Sequence, residues 1–402
     1  MLPEVLAAII MEKIMEICVI ASSYTTDTRQ VHVFLDNVVR LLVDRGIKCT
    51  VIAPQSSFAY YTRKGERRPL EYERRSSQGI PYKIYSPLYT VFPTLKIGEF
   101  CLSDRTKYSY FKAVRRVYKE KNLKSDLIYS HFIQAGIAGV MLAEELGLPS
   151  FIANGEADTI DSLKYISRKL IRQTLENVTG IISVSTKCKD EIKELCGGDN
   201  RIMDKVTVIP NAADTERFYK MDRQECRNEL GFPADKFIIA FTGSFISRKG
   251  VQKTAEAVDT IDDVYAVFIG SGAEEPECRN ILFKGRVKNE DVVKYLNAAD
   301  VFVLPTLAEG CSNAVVEAVV CGLPVISSDR SFNRDILDES CSILVDPENQ
   351  QEIVDAIESL KNDAAKRERL SSGSLERAKV LSLDNRVSRI IDFILRAIAK
   401  ST

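Results

Sequence analysis

Histidine is almost missing from this chain: His32 and His131 are the only two in 402 residues. The ten cysteines are scattered, and pairs such as Cys18 with Cys49 or Cys188 with Cys196 lack metal-ligand spacing. These shortages leave no zinc or iron ligand set, and the thiols read as reduced cytoplasmic cysteines rather than a disulfide framework. No Asp-x-Asp motif is present to hold a catalytic divalent ion. The expected chemistry is therefore metal-independent, with no cofactor. No Gly-x-Ser-x-Gly elbow occurs, which speaks against a serine hydrolase. Neither sign of charge is in excess, with 55 Lys and Arg against 56 Asp and Glu, so no nucleic-acid footprint is present. Residues 2–11 are apolar apart from Glu4 but too few to span a bilayer, and no basic region precedes them. No transmembrane segment is expected. Met11 is an alternative start, because 14–21 already reads as a core strand.

The composition that remains is ordinary for a soluble globular protein, at 45% hydrophobic and 28% charged residues. A chain of 402 residues exceeds what one core usually organises, so two domains are expected. Short apolar runs alternate with amphipathic stretches, the pattern of a parallel sheet flanked by helices. In the first half the pattern predicts strands at 16–22, 49–53, 127–130, 150–153, 181–184 and 206–209. Helices are predicted over 28–45, closed by Gly46, and 133–146, closed by Gly147 and Pro149. The second half repeats the theme, with strands at 237–242, 264–269, 281–283, 301–304 and 325–327. Its helices are predicted at 250–260, 291–298, 313–321 and 350–361. The expected architecture is α/β: two doubly wound, Rossmann-like domains, 1–212 and 213–382, with a last helix, 383–402, returning to the first. Ligands of such sheets sit at the carboxyl ends of strands, so two of them facing a cleft suit a two-substrate reaction.

The segment 60–124 breaks this rhythm, with 16 Lys and Arg against 6 Asp and Glu, and twelve of the 32 Tyr and Phe. It reads either as a loosely structured, solvated insertion or as a surface for an anionic partner: lipid headgroups, a lipid diphosphate or an acidic glycan. The second reading takes Arg63, Lys64, Arg67, Arg68, Arg74, Arg75, Arg115 and Arg116 as headgroup contacts. Tyr60, Tyr61, Phe92, Tyr108, Tyr110 and Phe111 would be the interfacial rings. It implies a cytoplasmic protein peripheral on the inner face of the membrane.

The chemistry concentrates in two strand-loop-helix elements. In the stretch 305–318, a helix start leaves N–H groups around Cys311, Ser312 and Asn313 without internal partners, aimed where a diphosphate can sit. Gly310 lets the backbone approach closely. Glu309 lies just outside the loop and can accept bonds from sugar hydroxyls, while Glu317, one turn inside the helix, can receive a ribose diol. Eight positions separate the two carboxylates, so each needs its own task. The bland alternative is an ordinary crossover with solvated glutamates. The second element runs through Gly243 and Ser244 to Arg248, Lys249 and Gly250, and puts two cations at a helix start. The helix dipole prefers anions there, so these cations are misplaced unless an anion binds nearby. A departing nucleotide diphosphate is such an anion, stabilised as its charge develops. His131 follows a strand at its carboxyl end, where a capping or core role competes with a catalytic one. His32 lies inside a predicted amphipathic helix and reads as structural.

Five motifs occur in order: Val208-Ile-Pro-Asn211, Gly243…Lys249-Gly250, Ile269-Gly-Ser-Gly272, Lys284-Gly285-Arg-Val287 and Glu309…Glu317-Ala318. In these the chain resembles, over most of its length, the retaining glycosyltransferases of the GT-B fold, in particular the family 4 group. The resemblance implies a nucleotide-sugar donor, UDP- or GDP-linked, and a glycan or lipid-linked acceptor. It implies that Lys249 contacts the donor diphosphate, Glu309 the donor sugar and Glu317 the ribose. The backbone of Arg286 and Val287 would lie by the base, Gly270 would be among the donor-binding positions, and His131 would lie near the donor sugar. Three features depart from the family pattern. Ser244 stands where an arginine is common, and Arg248 is the candidate to replace that cation. Ser22-Ser23-Tyr24-Thr25-Thr26 replaces a glycine-rich loop, and Asn154-Gly155-Glu156 replaces a histidine-glycine pair. Acceptor identity therefore does not carry over. A nucleotide-sugar epimerase on the same fold, or a non-catalytic scaffold of a polysaccharide assembly complex, are the rival readings.

Overall fold

The structure, a computed structural model, describes residues 16–27, 29, 31–62, 67–98 and 100–401. Residues 2–11, the alternative start at Met11, and Arg63 and Lys64 fall outside the described residues. The chain forms two compact units: residues up to Ile209 together with those from Val387 onward, and Pro210–Arg386.

In the first unit, the strands β1 (Glu16–Ala21), β2 (Lys48–Ile52), β9 (Leu127–His131), β10 (Ser150–Asn154), β11 (Gly180–Ser183) and β12 (Val206–Val208) pair in parallel. Between β2 and β9 lie β3 (Gln55–Ser56), β4 (Glu71–Arg75), β5 (Pro81–Tyr85), β6 (Leu88–Tyr89), β7 (Lys96–Ile97) and β8 (Phe100–Cys101). The main sheet has the order β12-β11-β10-β9-β1-β2-β5-β4, and only the β4–β5 pairing in it is antiparallel. Its central strands are buried on both faces, which is why Ile17–Ala21 reads as an unbroken apolar run. From Val387 on, the last helix (Leu383–Ser401) packs Val387, Ile390, Ile394 and Leu395 inward, and Phe393 meets Phe151 at 6.1 Å between ring centroids.

The second unit holds a six-stranded parallel sheet made of β13 (Phe237–Thr242), β14 (Val264–Ile269), β15 (Ile281–Gly285), β16 (Val301–Leu304), β17 (Val325–Ser328) and β18 (Ser342–Val345). Their order is β15-β14-β13-β16-β17-β18. At the amino end of β16, Asp300 accepts from Arg227 at 2.7 Å and from the Ile238 N–H at 2.8 Å, and also pairs with Arg223. Arg227 is 3% exposed and also donates to the carbonyls of Ala298 and Ala234.

The segment 60–124 differs from its reading as a loosely structured insertion. It is built into the sheet through β4 and β5, and the helix Ser103–Glu120 packs Tyr110, Phe111, Val114 and Val117 into the core. Tyr110 and Phe111 therefore cannot serve as interfacial rings. Several of the segment's cations are already paired: Arg74 with Asp36, Arg75 with Glu73, Arg115 and Lys119 with Glu145, and Lys83 and Lys121 with Glu71. Arg68 is buried and donates to the Pro54 carbonyl. The loop replacing the glycine-rich turn is held by polar groups instead. Tyr72 donates to the Thr25 carbonyl at 3.1 Å, and Tyr82, beside the buried Tyr24, donates to Asp36 at 2.6 Å. His32 is not inside a helix. It precedes the helix Val33–Asp44 with a left-handed backbone, φ 49°.

Candidate active site

The site is assembled where β13, β14 and β16 end. After β13 the chain turns through Gly243 and Ser244 into a short 3-10 turn, Ser247–Lys249, and Gly250 then starts the helix Val251–Thr260. Gly250 has φ 71°, and a side chain there would overlap the Pro305 carbonyl. Only glycine permits that approach, which laces this turn to the loop after β16. The Leu307 N–H donates to the Arg248 carbonyl at 2.8 Å, and the buried Thr306 hydroxyl lies 3.1 Å from the same oxygen.

This lacing brings together side chains 60 residues apart in sequence. The Lys249 ammonium is ion-paired with Glu309 Oε1, and both side chains are largely buried. Arg248 donates to the Ala308 carbonyl and stands 3.6 Å from the same Glu309 oxygen. Two cations thus share one carboxylate, leaving one positive charge in surplus beside a largely buried ion pair, with the Arg248 side chain itself 39% exposed. Such a charge attracts an anion more strongly than it would in water.

Beside this cluster the helix Asn313–Val320 begins. Its N-cap, Ser312, makes no side-chain capping bond. Asn211 donates to the Cys311 carbonyl at 3.1 Å and to Asn313 Oδ1 at 3.0 Å. Two of the loop's acceptors are thereby used, while the N–H groups of the first helical turn have no partner in their own helix. That arrangement suits an anion. Gly310 is buried in the same loop. Glu317 sits one turn further on, and burial pushes its carboxyl up to about 7, against the pull of Arg217.

Gly270 follows β14 and donates to the Gly285 carbonyl at 2.8 Å; a side chain on it would overlap the Gly243 carbonyl. Arg286 is exposed and its Nε donates to Ser271 Oγ at 2.6 Å, next to the half-buried Val287. Lys249, Arg248, Glu309, Gly243, Ser244, Gly270, Arg286, Val287, Gly310, Cys311, Ser312, Asn313 and Glu317 all belong to the second unit. His131 does not. It ends β9 in the first unit, buried, with Phe132 at 4.1 Å, Phe34 at 4.8 Å and His32 at 5.7 Å between ring centroids. The residue after it, Phe132, has φ 68°, a strained value for a bulky side chain.

No sequence motif assigns a task to Thr306 or Asn211. The same holds for Thr242, whose buried hydroxyl at the carboxyl end of β13 has no hydrogen-bond partner among the described residues. A hydroxyl before a glycine turn is the one local sign that pointed to it. Among the described residues no group of three or more His, Cys, Asp or Glu is arranged to hold a metal. Nor is any described helix long and apolar enough to cross a membrane.

Two parallel-sheet α/β units, with an anion-ready site at the strand ends of the second, define a protein of the GT-B glycosyltransferase class. Solved structures share the fold: sucrose-phosphate synthase from Thermosynechococcus elongatus (TM-score 0.72, 17% identity, 96% of this chain and 100% of that one) and HepE of Anabaena in complex with UDP (TM-score 0.70, 16% identity, 94% and 99%). The pattern described as Glycosyl transferases group 1 matches residues 222–377, and that of Glycosyltransferase Family 4 matches 31–217. The chain belongs to the family 4, group 1 glycosyltransferases. Among its relatives is TuaC of Bacillus subtilis, a glycosyltransferase named for teichuronic acid biosynthesis, 28% identical over 81% of this chain and 83% of that protein. Another is the Escherichia coli UDP-Gal:alpha-D-GlcNAc-diphosphoundecaprenol alpha-1,3-galactosyltransferase, 28% identical over 55% of this chain and 62% of that protein.

Proposed function

We propose that the chain is a retaining, metal-independent glycosyltransferase of cell-surface polysaccharide or glycolipid biosynthesis. The donor is a UDP- or GDP-linked sugar held by the second unit, and the acceptor is a glycan or lipid-linked glycan held by the first. The observation that carries this is the surplus cation of the Arg248–Lys249–Glu309 cluster beside an uncapped helix start. In the reaction the bond from the sugar's anomeric carbon to the donor phosphate breaks. A bond to the acceptor oxygen forms on the same face, and the acceptor's proton passes to a phosphate oxygen. Lys249 and Arg248 stabilise the leaving diphosphate, helped by the N–H groups of Cys311, Ser312 and Asn313. Glu309 receives sugar hydroxyls and Glu317 the ribose diol. Gly243, Ser244, Gly270 and Gly310 admit the nucleotide to the backbone, Arg286 and Val287 line the base, and His131 is assigned to the donor sugar. The E. coli relative's name, with its diphosphoundecaprenol acceptor, supports the lipid-linked class. A membrane-facing role for 60–124 rests on the rings and apolar side chains that stay exposed, including Tyr61, Leu95, Ile97, Phe100 and Tyr108.

A thermal-shift panel of UDP- and GDP-sugars, run with excess EDTA, tests donor class and metal use together. Saturation at about 100 times Kd stabilises the folded chain by about 2.7 kcal/mol. One nucleotide series should raise Tm, and EDTA should leave both that shift and turnover unchanged. Activity that EDTA abolishes and Mn²⁺ restores would end the metal-free assignment.

Glu317 adds a pH signature. Its carboxyl, raised to about 7, is mostly protonated at pH 6 and mostly ionised at pH 8. The carboxylate accepts both ribose hydroxyls, so nucleotide binding releases a proton and tightens about tenfold over that range. Titration calorimetry of Glu317→Gln should show a flat profile. A slope equal to that of the wild type would remove Glu317 from the ribose site.

A further inference from the structure

Lys107, on the helix Ser103–Glu120, is an ammonium that its surroundings do not use up. It donates to Gln134 Oε1 at 2.6 Å, and among the described residues it has no other hydrogen-bond or ion-pair partner. Burial pushes its pKa down to about 8, although Glu156 and Asp104 oppose that shift. Those two acids offset part of the cost of its charge, and its N–H donors not used by Gln134 remain for an anion that reaches them.

The same lysine lines a cavity of about 260 Å³ together with Tyr108, Ile137, Met141, Lys169 and Leu170. Its inner wall is apolar, and Ile137 is fully buried there. The one acid in the lining, Asp104, is engaged by the Ser167 N–H at 3.0 Å. Lys169 has no ion pair among the described residues. Close by, the β7–β8 hairpin presents Ile97 and Phe100, 66% and 55% exposed. Lys96 ties this hairpin to the Lys164 carbonyl at 3.2 Å, just before the helix Arg168–Asn177 that carries Lys169 and Leu170. Tyr108 and Tyr165 are exposed as well. An apolar slot, cations at its lining and an apolar rim are the three parts needed to take a lipid with an anionic head.

We propose that this cavity is a subsite for a lipid phosphate, with the first carbons of the chain between Tyr108, Ile137, Met141 and Leu170, and the phosphate on Lys107 and Lys169. The proposal rests on the glycosyltransferase reading and deepens it, committing the acceptor to the lipid-linked class. A soluble acidic glycan has no tail to bury in such a slot, and inorganic phosphate would leave it unfilled. The volume lies just below the range of about 300–1,000 Å³ typical of small-molecule sites, so it admits a stretch of chain and leaves the remainder to the membrane.

The test uses the full chain and farnesyl diphosphate as the probe in titration calorimetry, with inorganic pyrophosphate and farnesol as separate arms. Farnesyl diphosphate should bind at least tenfold more tightly than either fragment. Lys107→Met should weaken it at least tenfold, and Lys107→Arg should largely restore it. Met141→Trp, which fills the slot, should weaken the lipid and spare pyrophosphate. Pyrophosphate binding as tightly as farnesyl diphosphate would mean an anion site only and would overturn the lipid assignment. So would lipid binding indifferent to both Lys107→Met and Met141→Trp. The nucleotide-induced Tm shift of each variant keeps the two readings apart. If it persists while the lipid arm fails, the cavity proposal falls and the transferase stands; if no nucleotide stabilises the wild type, the transferase reading falls first.

Discussion

Lys249→Ala lowers kcat by about 100- to 1,000-fold, the loss typical of removing one preorganised donor to a developing oxyanion. The structure adds a second consequence. Lys249 neutralises Glu309 within a largely buried pair, so its removal leaves a carboxylate close to where the diphosphate must sit. Arg248, 3.6 Å from the same oxygen, would compensate only in part, because it is also committed to the Ala308 carbonyl. The variant should therefore lose turnover even at saturating donor while keeping its fold. Steady-state kinetics at saturating donor check this, and a kcat within threefold of the wild type would take Lys249 out of the chemistry.

Asp300→Ala destabilises the second unit by about 3–5 kcal/mol, the cost of breaking a buried pair from one side. Arg227, 3% exposed, would keep its charge without its carboxylate partner, and the Ile238 N–H would lose its acceptor at the start of β13. Asp300→Asn, which keeps an acceptor without the charge, should fall between. Urea unfolding of the full chain, followed through the transition that nucleotide binding delays, measures the change. A loss under about 1 kcal/mol would show that water reaches Arg227 and replaces the carboxylate.

The parts of the fold that were legible in the sequence are those buried on both faces. β1, β13, β14 and β16 are unbroken apolar runs, and nothing local competes with that signal. β4 was not legible, because an edge strand reading Glu71-Tyr-Glu-Arg-Arg75 buries nothing fully and looks like a solvated stretch. The helix Ser103–Glu120 hides for a similar reason, since its charged face outnumbers the stripe of Tyr110, Phe111, Val114 and Val117. At the site, the glutamates, the cations and the helix start were visible as motifs. Their pairing was not. Lys249 meets Glu309 only because Gly250 lets one loop close on the carbonyl of Pro305, a contact that no local pattern encodes. Asn211 likewise acts at a distance, holding the Cys311–Asn313 loop from about a hundred residues away.

That pairing also supplies the most direct test of the donor site. Glu309 competes with a diphosphate for Lys249, so the two partners should act on nucleotide affinity with opposite signs. Calorimetric titration of UDP and GDP into the wild type, Lys249→Ala and Glu309→Gln reads this in one experiment. For the nucleotide that binds, Lys249→Ala should weaken binding and Glu309→Gln should tighten it, each by about tenfold, which corresponds to about 1.4 kcal/mol. Equal affinities in all three proteins would contradict the account and reduce the Lys249–Glu309 pair to a structural tie between two loops.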